Sequence, residues 1–522
     1  MITELDIVLS PKDASDEKFY KPIVADKLNV NVADIFGIKI LRKSIDARQR
    51  NVKINMRFRV AFDEEFVVEQ GDSFEYANVL GKKKVIIVGA GPAGLFAALR
   101  LIELGYQPIV LERGKSVEDR KKDLAELHKT RNVNPDSNYS FGEGGAGTFS
   151  DGKLYTRSKK RGNLKKILEV LHFHGAQEDI LIDAHPHIGT DVLPKVIVRI
   201  RENILKAGGE VHFSTKVVDY ILEGDKISGV ITESGEQISA EGVILATGHS
   251  ARDVYRTLKN QGVELEAKSF AMGVRIEHSQ ELIDQIQYRN PDGRGKYLPA
   301  ATYSFVQQVQ ERGVYSFCMC PGGVIVPAAT GAKQQVVNGM SSSNRNTAFA
   351  NSGMAVEIRT QDLKEYKQYG ALAGLHFQEE LEEKAFVEGG ENLTAPAQRM
   401  EDFVNGKMST SLPKTSYHPG IVSSAMHIWL PESIRIRLQE GFKAFGKKSR
   451  GFLTNEAVIL GVESRTSSPV RIPRERDTYQ HVRIAGLFPC GEGAGYAGGI
   501  VSAAMDGEQC AEAFDRLFTA NK

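Results

Sequence analysis

Cysteine is scarce in this chain. Only Cys318, Cys320, Cys490 and Cys510 occur among 522 residues. That excludes a disulfide framework and fits a reducing compartment, the cytoplasm. Net charge is scarce as well. The 67 Lys and Arg against 66 Asp and Glu leave +1, so no global field points to nucleic acid or membrane. The N-terminal stretch "MITELDIVLSPKDASDEKFY" has scattered acids and no apolar h-region, which argues against a signal peptide. Long apolar runs are missing too. The longest, Val85 to Leu99, is shorter than the ~20 residues a spanning helix needs, and it contains three glycines and a proline. Internal repeats and low-complexity tracts are also absent.

What remains is a long chain with an ordinary apolar content, enough for about three domains of roughly 150 residues each. Residues 1–78 read as a small α+β unit. "ITELDIVLS", "IFGIKILRKSIDA" and "VKINMRFRVAF" are its strands, and "SDEKFYKPIVADKLN" is a helix with Ser15 at its N-cap. In the last strand Val52, Ile54, Met56, Phe58 and Val60 alternate with Lys53, Asn55, Arg57 and Arg59, so one face is core and the other basic. Residues 79–155, 190–264 and 450–522 read as one α/β domain, with 156–189 inserted. Residues 265–449 mix strand-like and helical runs and read as an inserted α+β domain.

The chemistry starts at "KVIIVGAGPAGLFAALRLIELGYQPIVLERG". Gly89-x-Gly91-x-x-Gly94 lies between a short apolar strand and a helix that opens at Pro92. Such a turn lets a pyrophosphate approach the backbone, and the helix N-terminus supplies free N–H groups and a positive dipole end. Glu112 ends the next strand, where a carboxylate accepts ribose hydroxyls. NAD and FAD share this half. "CGEGAGYAGG" (490–499) opens a second helix whose dipole suits the anionic edge of a reduced flavin, and this favours FAD.

These segments, with "ILATG" and "LFPCGEGAGYAGGI", resemble the glutathione-reductase-like FAD fold. "FGEGGAGTFSDGKL", "GVRIEH", "YSFCMCPGG", "VVNGMS" and "GEGAGYAGGIVSAAMDG" resemble, over nearly the whole chain, a bacterial family of FAD-dependent dehydrogenases, or NAD(P)/FAD-dependent oxidoreductases. The resemblance implies a doubly wound α/β fold and FAD. It also implies cofactor-lining roles for Ala93, Arg113, Gly145, Thr148, Asp151, Val217, Ala246, Thr247 and Gly248. At the second helix it adds Gly491, Glu492, Gly498, Gly499 and Ile500. It names no substrate.

Some features of related flavoproteins are missing. No cysteine pair stands in "GEGGAGTFSDGKL", so a dithiol relay at that position is excluded. A "GDAAH" segment is absent, and so is a second Gly-x-Gly-x-x-Gly. NAD(P)H, if it serves as electron donor, therefore binds transiently over the flavin. Cys318 and Cys320, at i and i+2 of a strand, point to one face. They read as two small core residues or, with Cys320 as the candidate, as a thiol at the flavin. "HPHIGTD" (185–191) suggests histidines at a strand edge with Thr190 or Asp191 capping the next helix, rather than a metal site. "GVESRTSSPVRIPR" offers Glu463 and Arg465 on a loop. An arginine there clamps a substrate carboxylate or holds the domains together. Arg275 and His278 are weaker candidates.

The expected function is FAD-dependent oxidoreduction, with hydride transfer between a small-molecule substrate, anionic if Arg465 binds it, and flavin N5. A nucleic-acid-binding (RNA-modifying) flavoprotein is the alternative, from the basic strand face and "RSKKRGNLKK" (157–166). A flavin-binding sensor without turnover is another. No feature sets an oligomeric state.

Overall fold

A computed structural model describes residues 1–62, 74–156 and 162–520. The strand Lys84–Val88 is buried at its four apolar positions, because neighbouring strands flank it, helices cover the face of Val85 and Ile87, and a layer with Val217, Tyr220, Val230 and Val254 covers the face of Ile86 and Val88. It is the centre of a five-stranded parallel sheet in the order Leu487–Pro489, Val243–Leu245, Lys84–Val88, Gln107–Leu111, Glu210–His212. The carboxyl ends of its three middle strands lead into Gly89, Ala246 and Glu112, and the edge strand leads into Gly491. These residues meet on one side of the sheet, where an open α/β sheet binds its ligand.

The sequence run beginning at Glu210 divides. Its first residues form the edge strand. After Ser214, whose φ is +52°, Val217–Glu223 starts a separate antiparallel meander with Lys226–Thr232 and Gln237–Ser239. The helix Leu164–Phe173 buries Ile167, Val170 and Leu171 in the same apolar cluster as Val85 and Phe514. The segment expected as an insertion at 156–189 therefore contributes to the core of the first α/β domain.

The second large unit is a seven-stranded sheet. Its order is Val306–Val309, Arg312–Cys320, Phe349–Ile358, Phe270–Ser279, Val458–Glu463, Ala395–Arg399, Ile421–Ser423. Val458–Glu463 lies inside it, beside Phe270–Ser279, so the return to the first domain expected at residue 450 comes later. A run as apolar as Val458–Leu460 fits either sheet, and sequence alone does not discriminate between them. For the same reason Glu463 is a strand residue, not a loop residue.

The N-terminal unit is a three-stranded antiparallel sheet, order Ile2–Leu9, Lys53–Ala61, Gly37–Asp46, with the helix Glu17–Leu28 on it. Ile54, Met56, Phe58 and Val60 are buried as their alternation requires. Asp16, not Ser15, caps the helix by accepting from the Lys18 N–H, while Ser15 donates to the Lys12 carbonyl. The basic face is neutralised across the sheet. Arg57 pairs with Asp6 at 2.8 Å and Arg59 with Glu4 at 3.0 Å. The other basic feature, the run 157–166, lies outside the described residues from 157 to 161. Among the described residues, no helix is long and apolar enough to cross a membrane.

Candidate cofactor and redox site

Close backbone packing builds one end of the site. A Cβ on Gly94 would lie 1.9 Å from the Gly89 carbonyl oxygen, so only glycine lets the helix Pro92–Glu103 start this close to the turn. A Cβ on Gly507 would lie 2.0 Å from the Ala93 carbonyl oxygen, which fixes the C-terminal helix Ile500–Ala520 against the first one. No side chain caps the first helix at Gly91. Its opening turn faces a cleft lined by Gly89, Gly91, Pro92 and Ala93, and by Gly498, Gly499 and Ile500 from the second helix. Nothing lies within 4 Å of a Cβ built on Gly248 or Gly498, so bare backbone borders open space there.

Most of the expected cofactor residues line this cleft: also Glu112, Arg113, Gly145, Asp151, Val217, Ala246, Thr247, Gly248, Gly491 and Glu492. Two do not. Gly94 packs the helix as described. Thr148 is fully buried and donates its hydroxyl to the Glu143 carbonyl at 2.7 Å, inside the loop behind the cleft.

Three charged lining residues are already engaged. Glu112 accepts the Ala90 N–H at 2.8 Å on Oε2, and those of Gly114 and Gly142 at 2.9 and 3.0 Å on Oε1. With two acceptor sites per oxygen, Oε2 keeps one for a hydroxyl. Arg113 pairs with Asp253 at 2.9 Å and lies 4.6 Å over the Phe141 ring. Asp151 accepts from Arg345 at 2.6 and 3.0 Å and from Ser341 at 2.7 Å. Burial alone would raise its pKa, but the Lys153 and Arg345 charges hold it below the usual range.

The second domain supplies the opposite material: the side chains of Phe317, Cys318, Asn338 and Arg465, facing Lys153. Arg465 borders the cleft, and its fork is used. Nη1 donates to Thr330 at 2.8 Å, and Nη2 donates to Gln334 at 3.0 Å and to Glu382 at 3.3 Å. Its Nε is buried without a partner among the described residues. Glu382 also accepts from Arg252 at 2.7 and 2.8 Å. Burial opposes its ionisation, yet the Arg252 and Arg465 charges hold it down to about 2.

Glu463 and Cys320, both expected at the chemistry, are not in the lining. Glu463 is buried against Arg275 at 2.9 Å, and burial pushes it up to about 7. Cys320 is fully buried, and its neighbour Cys318 takes the cleft position. A β-bulge between Phe317 and Cys320 and a φ of +46° at Cys318 break the strand's regular register, so Cys318 borders the cleft and Cys320 stays behind it, with the two sulfurs within hydrogen-bonding reach of each other. Arg275 lies behind them, fully buried. His278 is buried in the second core, bonded to the Phe452 carbonyl at 2.8 Å; burial lowers it to about 4 and keeps it neutral.

In "HPHIGTD" Asp191 caps no helix. It accepts from the N–H and hydroxyl of Ser343, both at 2.7 Å. Among the described residues, one cluster brings three metal-type ligands together, Cys490, Asp506 and Cys510. Arg474 pairs with that aspartate at 2.6 Å and supplies the cation there. Sequence reasoning passed over Lys153, although it stands in the quoted motif "FGEGGAGTFSDGKL". It also passed over Arg345, which no local pattern marks.

These features fit FAD. Two helix N-termini converge on bare glycine backbone, a buried carboxylate retains one acceptor site, and the cleft runs on to a second domain. Comparison with known proteins agrees. Residues 269–466 match the family described as FAD-dependent protein, C-terminal domain-like; residues 82–127 match the FAD binding domain, and residues 1–61 a domain of unknown function. A Clostridium beijerinckii protein described as "Uncharacterized protein" is 40% identical over 508 residues, 94% of either chain. The thiamine thiazole synthase of Methanococcus vannielii is 29% identical over 221 residues, 40% of this chain and 73% of that one. Among solved structures, the flavin-dependent brominase Bmp2 aligns over 84% of this chain and 79% of its own, with 13% identity and a TM-score of 0.37. A geranylgeranyl bacteriochlorophyll reductase-like protein of Thermoplasma acidophilum aligns with the same coverages and identity and a TM-score of 0.34. Matched to its relative over 94% of its length and to the family's own domain through the second sheet, the chain belongs to this family of FAD-dependent proteins, and its cofactor is FAD.

Proposed function

We propose that the protein is an FAD-dependent oxidoreductase acting on a small anionic substrate by hydride transfer to or from flavin N5. The bound flavin supplies the two-electron chemistry, and the protein binds and orients the reactants. The surplus of positive charge at the second-domain wall carries the reading. Asp151 is shared by Lys153 and Arg345, and Glu382 by Arg252 and Arg465. Each trio holds two cations and one anion, a net +1, and Lys153 and Arg465 face the cleft. Arg465 contributes its unpartnered Nε, and Lys153 an ammonium held on the Met319 carbonyl. NAD(P)H is itself an anion, and it enters this reading as a donor that binds transiently at the same wall. All four cysteines are free, which supports a cytoplasmic location.

The test is an anaerobic screen of carboxylates, NADH and NADPH for loss of the flavin's visible absorbance. We expect an anionic reductant to bleach the flavin, its apparent affinity to fall with added salt, and Arg465→Met to weaken it roughly 10- to 100-fold, the worth of one charge-assisted contact. Neutral compounds bleaching equally well, or full affinity in the variant, would remove the anionic assignment.

A further inference from the structure

The pair Cys318 and Cys320 differs from the other pair in the chain. The strand Arg312–Cys320 leaves its regular register at the bulge, and the positive φ at Cys318 turns that residue into the cleft. Cys320 remains in the core, with its Sγ 3.3 Å from the Cys318 carbonyl oxygen and within hydrogen-bonding reach of the Cys318 sulfur. Arg275, itself fully buried, donates Nη2 to the Cys318 carbonyl at 2.9 Å and lies 3.6 Å from the Cys320 sulfur. It is fixed from behind by Asn351 at 2.8 Å and by Glu463 at 2.9 Å. Lys153 bonds the carbonyl of Met319, the residue between the two cysteines. Two cations thus flank two sulfurs, only one of which is accessible. That is the arrangement of an attacking thiol with a resolving thiol behind it.

We propose that Cys318 and Cys320 are a redox-active dithiol that exchanges with small-molecule disulfides in the flavin cleft. The Cys318 thiolate attacks one sulfur of a disulfide R–S–S–R. A Cys318–S–S–R bond forms and RS⁻ leaves and takes up a proton. Cys320, losing its proton to solvent, then attacks the Cys318 sulfur and expels the second RS⁻. The products are one Cys318–Cys320 disulfide and two RSH, so two electrons and two protons pass from the pair to R–S–S–R. The reverse sequence oxidises two thiols.

The charges facing Cys318 favour this. The hydrogen bond from Cys320 and the Lys153 and Arg275 charges hold its thiol below the ordinary range, against burial and Asp151. The same bond, with burial, pushes Cys320 up, so it keeps its proton until attack. Cys490 and Cys510 are the internal control. Both are fully buried outside the cleft, and hydrogen bonding with Cys510 and burial push Cys490 up. The proposal rests on the flavin reading for its redox partner, while the thiol chemistry can be tested without it.

The experiment uses the FAD-loaded full chain. Iodoacetamide labelling followed by peptide mass spectrometry across a pH series should modify Cys318 first. At pH 7 an ordinary thiol is only a few per cent thiolate, so Cys318 should react roughly 30-fold faster than Cys490 or Cys510. Its rate midpoint should lie below that of an ordinary thiol. Glutathione disulfide should give a Cys318–Cys320 disulfide in the wild type. Cys320→Ser should trap a glutathione adduct on Cys318, and Cys318→Ser should give neither product. Equal labelling of the four cysteines, or no adduct in Cys320→Ser, would overturn the proposal. The wild-type labelling does not depend on either variant folding. FAD content and reducibility are measured on the same samples. Inert thiols beside a bound, reducible flavin would sink the dithiol alone. Reactive thiols without bound FAD would sink the flavin reading and leave the dithiol standing.

Discussion

The two ends of the cleft are made of different materials. At Gly89–Ala93 and Gly498–Ile500 the lining is backbone, placed by two helix starts that Gly94 and Gly507 let pack closely behind it. At the other wall it is side chains, held by carboxylates that two cations share. The backbone end has few titratable groups and recognises a phosphate by geometry, and any side chain added there intrudes. The side-chain end recognises by charge, and its integrity depends on protonation. One end suits a resident cofactor common to many proteins; the other can be rewritten for one substrate.

The comparison breaks most visibly at Glu382, the buried anion between Arg252 and Arg465. Glu382→Gln leaves the buried Arg465 without its ion-pair partner and Arg252 with only Glu379 at 3.8 Å, and we expect a loss of about 3–5 kcal/mol, the cost of breaking a buried ion pair from one side. The pH dependence sharpens the test. The folded-state pKa, down to about 2, is depressed below the ordinary carboxyl value. Its stabilisation is therefore complete above about pH 4.5 and is lost as the pH falls toward 2. Chemical denaturation at several acid pH values should show that slope in the wild type and a flatter one in the variant. An unchanged slope would mean that charge does not hold the wall.

Gly91→Val probes the opposite end. A Cβ at Gly91 meets only the Gly145 Cα, at 3.9 Å, so the substitution fits the fold and intrudes on the cleft alone. We expect colourless protein that still folds. Its stability should fall by roughly 3–4 kcal/mol relative to the wild type at saturating FAD, the mass-action worth of a ligand at 100 to 1,000 times its Kd. The deficit should not change between pH 5 and pH 8. Full FAD content in Gly91→Val would show that the phosphate lies elsewhere.

The backbone end was legible in the sequence because its demands are local. A strand, three glycines, a proline and a following acid all fall within one segment, and each is required by the geometry of the same turn. The wall was not legible, because it is assembled from residues 317–318 of the seven-stranded sheet, 338 of the separate strand Val337–Ser341, and 465 beyond the end of Val458–Glu463, and no spacing relates them. Where the wall was anticipated, the details failed for identifiable reasons. The alternation of "YSFCMC" does not say that only Cys318 reaches the cleft, because a bulge leaves no mark in a period of two. Glu463 looked like a loop residue because "GVESRTSS" contains turn formers, yet pairing with Phe270–Ser279 carries the strand as far as that glutamate. Arg465 lines the cleft, but its engagement by Thr330, Gln334 and Glu382 depends on three residues far away in the chain.

Thr148 gives the smallest and most discriminating test. The family resemblance implies that it lines FAD, whereas the structure buries it in the loop behind the cleft, with its hydroxyl on the Glu143 carbonyl at 2.7 Å. Valine has nearly the same shape, so Thr148→Val removes the hydroxyl and little else. The Glu143 carbonyl keeps a second donor, Arg120 Nη1 at 2.9 Å, so it is not left unpaired. The expected cost is therefore that of one ordinary hydrogen bond, about 0.5–1.5 kcal/mol, without a desolvation penalty on top. Affinity for FAD should not change, because no cleft-facing atom has been altered. Thermal melts of apo-protein and an FAD titration separate the two outcomes. A lower melting temperature with unchanged affinity keeps Thr148 as part of the scaffold. Weaker FAD binding with unchanged apo-protein stability would place its hydroxyl on the cofactor, and the cleft's backbone end would then depend on a side chain after all.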